Sequence, residues 1–219
     1  MPPALPTTTR IHDLLEIDTE RFLEGNSSAP AWVAESLRHA PFVVVRRGAT
    51  SATEGIAVGV RGAQRNERWA GVCHQDLVRR ILTPPMLLSR LVATSPAAPA
   101  TDAIPAIRTL TLLADRWNSL NSPWGPGGSV GFELATGHPV ATPQSDLDIV
   151  IYAESRMTPD EARLLHESAQ GLPAAVDIRV ETPTCGFSLT EYANRAPAPI
   201  LLRFASGTVL GTNPWATPT

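Results

Sequence analysis

Apolar residues fall along this chain in two interleaved rhythms: short alternating or continuous runs, and longer segments with apolar positions at three- and four-residue spacing. Ala29-Pro30-Ala31-Trp32 opens a short helical pattern through Leu37. Phe42-Val43-Val44-Val45 and then Ile56 to Gly62 read as strands, joined as a hairpin around residues 48–55. A helix is expected from Arg68 to Leu82, ended by Pro84-Pro85. Farther along, Ile107, Leu110, Leu113 and Trp117 give Ile104 to Leu120 a helical stripe, followed by the breaker cluster Asn121 to Gly128. Ser129 to Leu134 is taken as a strand, then a turn at Gly137-His138-Pro139 and the strand Leu147 to Tyr152. Thr158-Pro159-Asp160-Glu161 has the residues of a helix start, with Thr as cap, Pro first and Glu third, and that helix runs to about Gln170. Ala175 to Val180 is a further strand, Thr190 to Arg195 a short helix, and Ile200 to Phe204 with Thr208 to Gly211 a closing hairpin. The order predicts an α/β chain of mixed α+β type, with helices packed on a mixed sheet.

The Pro/Ala/Ser-rich run from Thr94 to Asp102 reads as a linker and divides the chain into domains at 1–93 and 102–219. The 219 residues suffice for one large domain or two small ones. A net charge of −3 supplies no global basic field, which argues against a nucleic-acid partner while leaving room for a local patch around one phosphorylated ligand. All 18 basic residues are Arg, so cationic phosphate contacts fall to Arg and a Walker-type Gly-Lys-Ser/Thr loop is excluded. Cys73 and Cys185, far apart, form neither a disulfide framework nor a metal motif. No signal peptide and no membrane span are read, so the expected location is the cytoplasm.

The chemistry concentrates in the second half. Asp146 and Asp148 flank one residue at the start of an otherwise apolar strand, where positions i and i+2 point to one side. Adjacent carboxylates repel, and a divalent cation between them removes the repulsion; oxygen ligands suit Mg²⁺, which takes its remaining ligands from water and substrate phosphates. Asp177 lies in the next apolar strand, where it needs a metal or an ion-pair partner such as Arg179. Gly127-Gly128-Ser129 could bring backbone amides and a hydroxyl to a phosphate, and would equally make a tight turn.

Gly-Ser, an Asp-x-Asp strand and an Asp in a later strand together resemble the nucleotidyltransferase superfamily. Gly128-Ser129-Val130-Gly131-Phe132-Glu133-Leu134-Ala135-Thr136-Gly137 followed by Ser145-Asp146-Leu147-Asp148 resembles, more narrowly, the malonate decarboxylase holo-acyl-carrier-protein synthases. Val176 to Thr182, Leu201-Leu202-Arg203, His12 to Leu15 and Val58 to Gly62 also fit that family. The resemblance implies a nucleotidyltransferase-like catalytic domain at 102–219 and a substrate- or partner-binding domain at 1–93. It implies transfer of phosphoribosyl-dephospho-CoA from triphosphoribosyl-dephospho-CoA to a serine of the acyl carrier protein subunit of malonate decarboxylase, with release of pyrophosphate. Asp146, Asp148 and Asp177 are the expected metal and catalytic carboxylates, and Gly128 and Ser129 the phosphate grip. Arg61 and Arg65, within the Arg-rich stretch 46–68, are candidate substrate contacts for the donor phosphates or an acidic carrier. Glu133 is read as a loop-orienting residue, His12 and His138 as packing or turn residues, Trp117 and Trp124 as core, and Glu181 as a second choice behind Asp177 because Asp177 is expected to lie deeper. Two rival functions are a nucleotidyltransferase using an ordinary nucleoside triphosphate, on a small molecule or a protein, and a non-catalytic module of the same fold.

Overall fold

The computed structural model describes residues 9–48, 55–62, 64, 66–94 and 104–216, with side chains of 92–94 excepted. The chain divides into two compact units, Met1–Thr83 and Pro84–Thr219. This division lies ahead of the Pro/Ala-rich stretch at which the sequence places a boundary; residues 95–103 of that stretch lie outside the described residues.

The first unit is built on a five-stranded antiparallel sheet of order β4-β3-β2-β1-β5. Its elements are β1 (Leu14–Ile17), α1 (Thr19–Gly25), α2 (Ala31–His39), β2 (Phe42–Val45), β3 (Ile56–Arg61), β4 (Arg68–Cys73) and β5 (Val78–Leu82). The β2–β3 hairpin and α2 match the sequence pattern. The expected helix from Arg68 to Leu82 does not form. In its place stand β4, a single 3₁₀ turn at Gln75–Leu77, and β5. Period two prevails over period 3.6: side chains along β4 alternate between exposed and more buried positions, and Arg68 to Cys73 pairs residue by residue with β3. Leu15, Ile17, Phe22, Val33, Leu37, Val43, Val58 and Cys73 make the core, and complete burial of Phe22 contributes on the order of 1.5–3 kcal/mol.

The second unit starts with α3 (Pro84–Thr94), so Pro84-Pro85 begins a helix rather than ending one, a position where the missing N–H costs nothing. Then come α4 (Pro105–Arg116), β6 (Trp124–Pro126), α5 (Gly128–Thr136), β7 (Leu147–Tyr152), α6 (Pro159–Ser168), β8 (Val176–Glu181), β9 (Gly186–Ser188), α7 (Leu189–Arg195), β10 (Ile200–Phe204) and β11 (Gly207–Gly211). They form a mixed six-stranded sheet of order β11-β10-β9-β8-β7-β6, in which β7 and β8 run parallel and the other neighbours antiparallel. The expected strand at Ser129 to Leu134 is α5. Its short apolar run suits either state, and Gly137 in the left-handed region (φ 73°) closes it as a helix. Thr158 and Glu161 form the reciprocal capping box that the sequence predicts at the start of α6. Leu110 and Leu113 of α4, Leu147, Ile149 and Ile151 of β7, and Ile178 and Val180 of β8 share one core, in which Trp117 and Trp124 meet edge to face at 4.9 Å. Both cysteines are buried and neither forms a disulfide. Among the described residues, no helix is long and apolar enough to cross a membrane.

Candidate active site

The parallel ladder between β7 and β8 sets Asp148 opposite Asp177, Val150 opposite Arg179 and Tyr152 opposite Glu181. Partners across a ladder project to the same face, so Asp148 and Asp177 stand side by side, strands about 4.8 Å apart. Leu147, Ile149, Ile178 and Val180 fill the other face and are essentially inaccessible. The sheet therefore carries an apolar face and a carboxylate face. Asp146 precedes β7 by one residue and is exposed, while Asp148 is half-buried.

Against Asp148 lies the turn into α5. The Gly127 N–H donates to the Asp148 carbonyl at 2.9 Å, closing the turn onto the strand. Gly128 adopts φ 54°, and a Cβ built on it would lie 2.7 Å from the Asp148 carboxyl carbon. Glycine is required twice over, by backbone conformation and by this approach. Ser129, buried in the first turn of α5, follows directly. Three of the expected site elements thus converge: the Gly-Ser turn, Asp148 and Asp177.

Asp177 is engaged by Arg179, whose Nη2 donates to Oδ2 at 2.9 Å, the ion pair weighed as its alternative partner. Its expected depth belongs to Glu181 instead: Asp177 sits near the start of β8 with its side chain 38% exposed, whereas Glu181 is buried opposite Tyr152. Glu133 orients the loop, its Oε2 accepting from the N–H groups of Val140 and Ala141, each at 2.9 Å, on the approach to Asp146. Among the described residues, no three His, Cys, Asp or Glu side chains are gathered tightly enough to enclose a metal ion as they stand. The donor set is nevertheless of the type a hard divalent cation takes: Asp148 and Asp177 at one register position, with Asp146 just ahead of β7, all oxygen ligands.

Arg61 belongs to the first unit, at the end of β3, exposed and opposite the exposed Arg68. Two cations facing each other across a ladder repel, and an anion between them relieves that repulsion. Arg65 lies outside the described residues.

Comparison with known proteins decides the family. The model of the phosphoribosyl-dephospho-CoA transferase MdcG C-terminal domain matches residues 90–214, and that of the N-terminal domain matches residues 10–84. The chain belongs to the phosphoribosyl-dephospho-CoA transferase family. Curated phosphoribosyl-dephospho-CoA transferases are similar along nearly its whole length. The one from Pseudomonas aeruginosa is 35% identical over 204 residues, covering 93% of this chain and 92% of the relative. That from Klebsiella pneumoniae strain 342 is 35% identical over 211 residues, covering 96% and 98%. No solved structure gives a significant match. The chain is accordingly a transferase, and both units belong to the family pattern. The sequence offers Arg179 as a partner of Asp177, two residues along the same strand, and the structure forms that pair. The contact of Gly128 with Asp148 is not legible in the sequence, because it depends on how the turn into α5 closes on β7.

Proposed function

We propose that this transferase moves the phosphoribosyl-dephospho-CoA group from triphosphoribosyl-dephospho-CoA to a serine of the acyl carrier protein subunit of malonate decarboxylase, releasing pyrophosphate. The single observation that carries the site assignment is the Asp148–Asp177 register with the Gly127-Gly128 turn closed against it. Asp146 and Asp148 would hold Mg²⁺. The chemistry supplied there is neutralisation of charge on the donor triphosphate. Ser129 and the first amides of α5 grip the two departing phosphates, where negative charge grows as the bond breaks. The serine oxygen forms a bond to the phosphorus attached to ribose, the bond from that phosphorus to the pyrophosphate oxygen breaks, and the serine proton passes to Asp177. Arg179 holds the Asp177 carboxylate in place through its hydrogen bond. Arg61 and Arg65 stand in this reading as candidate contacts for the donor phosphates or an acidic carrier, and a cytoplasmic location goes with it.

Mass spectrometry of the carrier subunit tests the reading. After incubation with the chain, the donor and Mg²⁺, the carrier should gain the mass of one phosphoribosyl-dephospho-CoA group on a serine. An unmodified carrier in the presence of intact donor overturns it, and modification by ATP alone would transfer the assignment to an ordinary nucleotidyltransferase.

A further inference from the structure

We propose that Arg179 and Arg203 form a second anion-binding position on the carboxylate face, taking the diphosphate group in the dephospho-CoA part of the donor; the identity of that donor rests on the reading above. Register places both residues. Arg179 lies two positions beyond Asp177 on β8 and opposite Ser188 of β9, while Glu181 lies opposite Gly186, which in turn is opposite Arg203 of β10. Asp177, Arg179, Glu181, Gly186, Ser188 and Arg203 therefore project to one face. Gly186 puts no side chain between β8 and Arg203. Arg203 is half-buried, and its Nη1 is enclosed without an acceptor among the described residues. A guanidinium donor left in that state is costly, and a phosphate oxygen is the acceptor its planar fork suits.

The spacing matches the chemistry of the donor. The row through Glu181 and Arg203 is four residues along β8 from the row through Asp148 and Asp177, or about 13 Å. In the donor, two riboses separate the triphosphate from the diphosphate. With the triphosphate at Asp146 and Asp148, the diphosphate extends along the face toward Arg179 and Arg203.

Titration calorimetry on the full chain reads this directly, using dephospho-CoA, which carries the diphosphate but no triphosphate, and inorganic triphosphate with Mg²⁺ as the second probe. Arg203→Gln should weaken dephospho-CoA about tenfold or more while inorganic triphosphate binds within about twofold of the parent. Arg203→Lys should recover part of the loss. If Arg203→Gln fails to fold, Arg179→Gln, on a side chain one-third exposed, should weaken dephospho-CoA by a similar factor, read on that probe alone because Arg179 also holds Asp177. Unchanged dephospho-CoA binding in the folded variants overturns the proposal. Selective loss in Arg203→Gln, together with a parent chain that leaves the carrier unmodified, supports this anion position and overturns the transfer reaction, so the two failures are distinct.

Discussion

The backbone of Gly128 sits directly against the carboxylate of Asp148, with no room between them for a side chain. Gly128 is also in the left-handed region at φ 54°, where an L-residue costs about 1–2 kcal/mol. Gly128→Ala should lower Tm by a few degrees and cut transfer by about a hundredfold, because the new methyl displaces Asp148 from the reacting phosphate. Gly137 separates the two effects. It ends the same helix at φ 73° with nothing within 4 Å of an added Cβ. Gly137→Ala should show a comparable fall in Tm and near-normal transfer to the carrier. Equal loss of transfer in both variants would mean that helix stability, and not the Gly128–Asp148 contact, governs activity.

Asp146 and Asp148 are predicted to be indispensable for chemistry and dispensable for folding. Neither packs in the core; Asp146 is exposed and Asp148 half-buried. Asp146→Ala and Asp148→Ala should each abolish detectable carrier modification while leaving circular dichroism and the urea midpoint close to the parent. Transfer retained in both variants would remove the carboxylates from the mechanism. Loss of transfer together with loss of Mg²⁺ binding, read by calorimetry, is the expected pair of results.

The second unit was far more legible in sequence than the first. Its strand β7 is an apolar run interrupted by one carboxylate, β8 alternates apolar and charged residues, and its helix α6 announces itself with a full capping box. Those signals are local. The stretch Arg68 to Leu82 holds Trp69, Val72, Leu77, Val78 and Ile81 at spacings that satisfy a helix, and only pairing with β3 and β1, far away in sequence, fixes it as strand. Likewise Asp146, Asp148 and Asp177 could be listed from the sequence as acids near strands, but which of Asp177 and Glu181 faces Asp148 is a matter of register. One residue of slip would have sent both to the apolar face.

Gly125 fixes α3 to the sheet. A Cβ added there would run into the backbone at Pro84 and lie 2.8 Å from the Pro85 nitrogen. Backbone cannot swing aside as a side-chain tip can, so α3 or β6 must shift. Gly125→Ala should therefore destabilise the chain by about 1–3 kcal/mol, measured by urea unfolding. A change below about 0.5 kcal/mol would show that α3 moves freely against β6.

Both thiols should be shielded in the folded protein. Burial pushes the Cys73 thiol up to about 12, with the nearby Asp76 charge adding to the effect, and Cys185 donates to the Pro214 carbonyl at 3.1 Å. Thiolate is the reactive form, which burial disfavours at Cys73, and Cys185 is fully enclosed. Labelling with a thiol reagent at pH 8 should proceed only as fast as the chain opens, and two thiols should react at once in denaturant. Rapid native labelling of either cysteine contradicts the packing described.

Asp13 makes stability fall as pH rises. It is 1% exposed just before β1; Oδ2 accepts from the Arg10 N–H at 2.8 Å, while Oδ1 is enclosed without a partner among the described residues. Burial raises its pKa from 3.8 to about 6, outweighing the backbone hydrogen bond and the charge of Arg10. Between those two values the folded chain keeps a proton that the unfolded chain has released, so folding weakens across that window and the penalty is complete above about pH 6. Two pKa units correspond to roughly 3 kcal/mol. Asp18 and Glu161, whose values are lowered by hydrogen bonds to Arg79 and Thr158, act in the opposite direction but are common to parent and variant. Asp13→Asn keeps an acceptor for the Arg10 N–H and removes the titration. Urea unfolding at intervals from pH 4 to pH 7 should find the variant gaining on the parent as pH rises, with the difference levelling off near pH 6. Parallel pH dependences for the two proteins would mean that Asp13 is not the buried acid described.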